Sequence, residues 1–327
     1  MARAIGFGSA VRALVACGLT GLAAAAAAQY PTKPIRLIVP YPPGGGNDAI
    51  ARMLAQKFPD ILGQQLIVDN RPGAGTTIGS ALAARATADG YTVMMSSVAS
   101  HAMAPQLYAK PGYDAIRDFA PVSLLATTPM LLVVGAGTPH QTLKDLIAAA
   151  KSATGKLSYA SGGNGTPPHL SAAILEGTIG AQMVHVPYKG SGPALVDVMA
   201  GQVTFIIDTA ASATPHVRSG KLRALAITGK NRWPDLPETP TFAEGGLTSY
   251  DSSSWYAIHA PAGSPAPAIA RLSSGLATIV KLPDMRERLR LMSAEPVGSA
   301  PAELDTFVKA EFEKWGKVIR SLNLKVE

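Results

Sequence analysis

Two stretches of this chain have the residue types and spacing to hold an anion without using charged side chains. The first is Pro40-Tyr41-Pro42-Pro43-Gly44-Gly45-Gly46-Asn47-Asp48, and the second is Ser161-Gly162-Gly163-Asn164-Gly165-Thr166-Pro167-Pro168-His169. Each follows a short apolar run and opens a segment with helical periodicity. Glycine allows backbone to approach a guest closely and turn its N–H groups toward it. A helix start adds unpaired donors and a partial positive charge. Hydrogen bonds to a charged group contribute about 1.5–3 kcal/mol each, so two or three from each loop suffice for useful affinity. One such loop could serve tight strand–helix packing alone; a matched pair favours a shared guest, and the chemistry suits a carboxylate.

Other chemistries fit poorly. Gly73-x-Gly75-x-x-x-Gly79 follows a strand and opens a helix, as a dinucleotide fingerprint does, but the next strand ends Met95-Ser96-Ser97 without the acid that a ribose requires. No Gly-x-Ser-x-Gly elbow or phosphate loop occurs. His101, His140, His169, His185, His216 and His259 show no metal-ligand spacing with neighbouring acids. No cofactor and no metal are therefore expected. His101 and His169 follow loops and could reach a ligand, or could serve only as hydrogen bonders at a helix start.

The elements that must position these loops alternate between strand and helix, which predicts parallel sheets covered by helices. Strands are expected at 34–41, 65–69, 91–95, 130–134, 157–160, 183–186, 203–207, 222–227 and 255–259. Asp48 is the expected cap of the first loop's helix, whose buried face would carry Ile50, Met53, Leu54 and Phe58. Thr166 is the expected cap of the second, with proline suited to its first turn. A helix over 138–150 has Thr142 as a plausible cap. Two long helices close the chain, the last aligning Leu304, Val308, Phe312, Trp315, Ile319 and Leu322 on one apolar face.

Composition sets the class and compartment. The chain has 327 residues, enough for two domains, with 47% hydrophobic and 16% charged residues. Arg3 and Arg12 precede an alanine-rich run from Ala13 to Ala28, the pattern of an export signal cleaved near Ala28. A membrane anchor is the alternative, but the run is short and weakly hydrophobic for a span. Removing residues 1–28 takes the formal charge from +7 to about +5 and removes Cys17, the single cysteine. A lipid on Cys17 is disfavoured because the hydrophobic run follows that residue instead of preceding it. Basic residues are scattered singly, so no nucleic-acid footprint is expected.

Set in order, the motifs resemble the Bug family, the tricarboxylate-type extracytoplasmic receptors of tripartite transport systems. The segments that carry the resemblance are Tyr30-Pro31-Thr32-Lys33-Pro34-Ile35-Arg36, Pro42-Pro43-Gly44-Gly45 with Asp48 and Arg52, and Asp69-Asn70-Arg71-Pro72-Gly73-Ala74-Gly75. They continue through Asp89-Gly90-Tyr91-Thr92, His101, Asp118-Phe119-Ala120-Pro121-Val122, the second glycine loop, Val186-Pro187-Tyr188-Lys189-Gly190-Ser191 and Ala260-Pro261-Ala262-Gly263. The resemblance implies an α/β, type II periplasmic-binding-protein fold: two α/β lobes joined by crossover hinge strands, with a ligand cleft between them. Lobe 1 would comprise 29–128 and 253–327, and lobe 2 would comprise 129–252.

By the same match, Pro43, Gly45, Gly46 and Asp48 form one jaw, and Ser161, Gly162, Gly163, Gly165 and Thr166 the other. Tyr41, Ser97, His169, Tyr188 and Asp208 would complete the pocket. Asp208 could accept from a ligand amino or hydroxyl group, repel a second carboxylate, or simply cap the turn at Thr209. Lys189 could attract an anion or remain a solvated turn residue. Asn47 and Thr76 stand where small residues, Thr or Gly, are more usual in such sequences; Thr76 would alter only the second turn, whereas Asn47, beside the first jaw, could change ligand selection. The implied activity is non-enzymatic capture of a small carboxylate by a periplasmic monomer that serves a membrane permease. Alternatives are an exported enzyme with His169 as its base, or a sensor subunit for a kinase.

Overall fold

The structure is a computed structural model and describes residues 30–248, 250, 252–321 and 324. The expected export signal, Cys17 and Leu322 lie outside them. The first half of the fold begins with β1 (Ile35–Val39), α1 (Gly46–Leu62), β2 (Leu66–Asn70), α2 (Thr77–Ala84), β3 (Thr92–Ser97) and the short α3 (Ala104–Leu107). A strand of 17 residues, β4 (Phe119–Gly135), then crosses into the second half. There follow α4 (Leu143–Ser152), β5 (Ser158–Ser161), α5 (Pro167–Ile179), β6 (Val184–Pro187), α6 (Ser191–Met199), β7 (Phe205–Thr209), α7 (Ala210–Arg218) and β8 (Leu222–Ile227). The chain returns through β9 (Ser253–Pro261) and ends with α8 (Ala266–Lys281), α9 (Pro283–Leu291), β10 (Glu295–Pro296) and α10 (Pro301–Ser321).

The sheet order is β2-β1-β3-β9-β4-β7-β5-β6, with β8 and β10 also on β4. Parallel pairing holds for β1 with β2 and β3, and for β5 with β6 and β7. The strands that tie the halves together are antiparallel, which strand–helix alternation alone did not predict. Residues 119–129 of β4 pair with β9, and residues 130–135 pair with β7 and β8. Sequence reading recovered only the Met130–Val134 part of β4. Pro121, Pro129 and several Ser and Thr residues break the apolar pattern before it, while pairing with β9 keeps the strand extended.

Each half has its own apolar core. In the first, Leu37, Leu54, Phe58, Met95 and Leu276 pack together; in the second, Leu132, Leu146, Tyr159, Phe205 and Phe242 do. The predicted inner face of α1 is buried as expected at Ile50, Met53, Leu54 and Phe58. Thr142 caps α4 with a full capping box to Asp145. Three helices close the chain instead of two, because Pro283 removes an N–H and holds Leu282 extended at φ −58°, ψ 141°.

The terminal helix buries Leu304, Val308, Trp315 and Ile319, while Phe312 is only half-buried. Its neighbour Glu311 turns inward, where its Oε2 accepts from both Trp255 Nε1 and Trp315 Nε1 at 3.2 Å. Glu311 therefore ties β9 to α10. Glu311→Ala strands two buried indole donors and is expected to cost about 2–4 kcal/mol of stability. Urea unfolding checks this; an unchanged midpoint would show the two bonds to be dispensable.

Candidate functional site: a cleft ringed by helix starts

A cavity of about 660 Å³ lies between the two halves. It sits at the carboxyl ends of β1, β2, β5, β6 and β7, the edge where α/β folds bind ligands. Its wall is built from the loops leaving those strands, and five helices begin there: α1 at Gly46 and Asn47, α2 after Thr76, α5 after Thr166, α6 at Ser191 and α7 after Thr209. Each start carries roughly half a positive charge. The cleft is thus electropositive although, among the described residues on its wall, only Lys189 is cationic and Asp208 anionic. Neutral donors in a positive field suit a carboxylate.

The two glycine loops both reach this wall. Tyr41, Gly45, Gly46, Gly162, Gly163, Thr166, Tyr188 and Asp208 line it. Pro43 is solvent-exposed and off the wall, and Asp48, Ser97, Ser161, Gly165 and His169 stand one layer back as supports. Asp48 is not the cap of α1: Gly45 occupies that position, and Asp48 reaches back from the first turn to accept from Gly44 N at 3.1 Å. It also accepts from Arg52 Nε at 3.0 Å and Asn70 Nδ2 at 3.0 Å. Burial pushes its pKa up, but these three donors outweigh burial and hold it below the usual carboxylate value. Ser97 Oγ bonds the Tyr41 hydroxyl at 2.5 Å and so fixes that ring.

The second loop is supported by a layer of rings. Ser161 Oγ accepts from Gly163 N at 3.1 Å and bonds His185 Nε2 at 2.7 Å. His185 stacks on His169 with centroids 4.2 Å apart, and His169 Nδ1 accepts from Gly165 N at 3.1 Å. Thr166 occupies the cap position of α5 without bonding the helix; its hydroxyl donates to Gly163 O at 2.7 Å. Pro167 and Pro168 remove two of that helix's donors. Several jaw N–H groups are therefore engaged inside the protein: those of Gly44, Gly46, Gly163 and Gly165. His169, the one candidate base, has its accepting nitrogen occupied and its pKa lowered by burial to about 4. That argues against proton abstraction near pH 7.

The halves also touch across the cleft. Gly46 N donates to Ser212 Oγ at 3.1 Å, and the Tyr108 hydroxyl donates to Asn164 O at 3.2 Å. Sequence reading missed the wall residues Ala74, Gly75, Tyr108, Gly190, Ser191, Thr209, Ser212 and Ser254. Their signal was positional: most follow the end of a strand. Gly73-x-Gly75, part of a nucleotide-like pattern and of the family-like segment 69–75, forms a third glycine turn that faces the same cavity.

Burial lowers the pKa of His169 and His185 to about 4 and of His259 to about 3, and places His101 well below the ordinary value; Coulombic repulsion between neighbouring imidazoles adds to the effect at His185 and His101. These groups bind protons more readily unfolded, so stability is expected to fall as pH drops from about 6.5 to 5. Asp208 opposes this: its folded pKa, raised by burial to about 6, makes its protonation favour the fold in the same window. Glu176, its pKa raised by burial, also opposes the fall, and His216, its pKa lowered by burial, adds to it, so five imidazoles are set against two carboxyls. Urea midpoints at the two pH values test the sum, and equal midpoints would refute it.

Comparison with known proteins places this geometry. The family described as "Tripartite tricarboxylate transporter family receptor" (TctC) matches residues 50–324. The protein BugT of Bordetella pertussis is 36% identical over 310 residues, covering 94% of this chain and 95% of its own. A solved R. palustris protein with adipate superposes at TM-score 0.88 and 34% identity, covering 90% of this chain and 99% of that one. MatC from Rhodopseudomonas palustris with bound malate gives TM-score 0.85 and 31% identity, covering 89% of this chain and 100% of that one. By sequence and fold, the chain belongs to the TctC family of tripartite tricarboxylate transporter receptors.

Proposed function

We propose that this receptor is exported, loses residues 1–28, and acts as a periplasmic monomer that encloses a small carboxylate and presents it to a tripartite-type membrane permease. Residues 29–128 with 253–327 form one lobe and 129–252 the other, hinged on β4 and β9. The observation that carries the reading is the convergence of five helix starts on one cavity. The adipate and malate seen in two solved relatives support the ligand class. Among the described residues, no helix is long and apolar enough to cross a membrane. Closure follows from a guest that contacts both lobes and so favours the closed state. Lys189, at the cavity rim, adds attraction for an anion.

Native mass spectrometry of protein purified from its exported form tests the reading. A mass consistent with cleavage near Ala28 and a co-purifying carboxylate are expected, with thermal stabilisation when that acid is added back and its unchanged recovery afterwards. Product formation from the recovered acid would favour the enzymatic alternative, and an uncleaved chain would contradict export by signal removal.

A further inference from the structure

Asp208 is the feature of the cleft that a plain carboxylate does not explain. It is the last residue but one of β7, lies on the cavity wall and is 1% exposed. Its Oδ1 accepts from Thr209 N at 2.7 Å, while Oδ2 has no partner of hydrogen-bond geometry among the described residues. The Ser191 hydroxyl, at the start of α6, is near enough to ease its charge, and the Tyr256 hydroxyl feels that charge from the side of Gly46. No basic side chain among the described residues pairs with it. From the other half of the fold, the side chain of Asn47 brings a second buried and unpartnered acceptor, Oδ1, to the same cavity.

We infer that the guest carries, besides its carboxylate, a hydrogen-bond donor, either an alcohol or an ammonium group, which Asp208 accepts. The inference rests on the carboxylate reading and narrows it to hydroxy- and amino-carboxylates. A buried acceptor left unpaired is costly, and a charged one more so. A donor on the guest satisfies Oδ2 and offsets that penalty. A guest lacking one leaves Oδ2 to such water as the cleft retains, and a second carboxylate there adds like-charge repulsion. At pH 7.5, above the value near 6 to which burial raises its pKa, Asp208 is an anion and can only accept. The field of the helix starts at Ser191 and Ala210 favours that ionised form.

Calorimetry at pH 7.5 on the purified protein tests this with three parent acids, succinate, glutarate and phenylacetate. Each is compared with its α-hydroxy derivative (malate, 2-hydroxyglutarate, mandelate) and its α-amino derivative (aspartate, glutamate, phenylglycine). In the series that fits the cavity, a derivative is expected to bind at least tenfold more tightly than its parent. Asp208→Asn keeps the oxygen that accepts from Thr209 N and replaces Oδ2 with a donor. It is expected to erase or invert that ratio, with circular dichroism confirming the fold. Asp208→Leu, which removes the acceptor without adding a donor, is expected to erase the ratio as well. Parents binding as tightly as both derivatives, or a ratio unchanged in Asp208→Asn, overturns the inference and leaves the carboxylate reading standing. Failure of all nine acids to bind overturns the carboxylate reading and the inference with it.

Discussion

Gly163→Val is expected to weaken carboxylate binding at least a hundredfold while leaving a folded protein. Gly163 has φ +122°, where a β-branched residue is strained by about 1–3 kcal/mol. A Cβ there would also come within 3.2 Å of Tyr188 O. The turn relieves both problems only by moving, and its bonds decide what moves with it. Gly163 N donates to Ser161 Oγ, and Gly163 O accepts from the Thr166 hydroxyl and from Thr166 N. Displacing this hub shifts Gly162 and Thr166 on the cavity wall and the start of α5 behind them. A hundredfold loss corresponds to about 2.7 kcal/mol, or one to two hydrogen bonds to a charged group. The strain itself is small for a fold with two full cores, so the thermal transition should drop by only a few degrees. Calorimetry beside a thermal melt separates the two effects. Retained affinity in a variant with the expected melt would remove the second glycine loop from the guest's contacts.

The second large effect is expected from Gly190→Val, which should block closure of the cleft. Gly190 precedes α6 in the second half and has φ +120°. An added Cβ would overlap the ring of Pro42, on the first glycine loop in the opposite half. A proline ring cannot swing aside as a long side chain would, so the halves must stay further apart. A guest is then held by one half alone and loses the donors of the other. Affinity should fall about a hundredfold, and the compaction that ligand induces in small-angle scattering should disappear. Gly190→Ala, with the same Cβ and a smaller side chain, should fall between the wild type and valine. Gly192→Ala is the control, since nothing lies within 4 Å of its Cβ position. Ligand-induced compaction that persists in Gly190→Val would mean the halves are already fixed at their working separation.

These two glycines differ in the kind of constraint they carry. Gly163 organises one loop, so its replacement acts within a single half. Gly190 makes room for the other half, so its replacement acts on the relation between the two. The inter-half bonds from Gly46 N to Ser212 Oγ and from Tyr108 to Asn164 O belong with the second kind.

The sequence alone determined where most of the strands and helices form, because hydrophobic periodicity and glycine or proline punctuation are local signals. The inner face of α1, the Thr142 cap and the strand Leu222–Ile227 could all be read that way. It also marked both glycine loops, since backbone that must approach a neighbour closely needs residues without side chains. Only the tertiary structure decided how those loops are used. That Asp48, Ser161 and His169 brace the wall while Ser212, Thr209 and a third glycine turn form it depends on strand order and on the antiparallel crossing of β4 and β9. Nothing within a few residues of either loop encodes that crossing. The length of β4 was hidden for the same reason: its proline- and threonine-bearing half is kept extended by β9, which lies more than a hundred residues further along the chain. Asp208 shows the limit most plainly. Its place at a strand end was visible in the sequence, but its burial, its unpaired oxygen and its raised pKa arise from packing between distant segments that only the fold brings together.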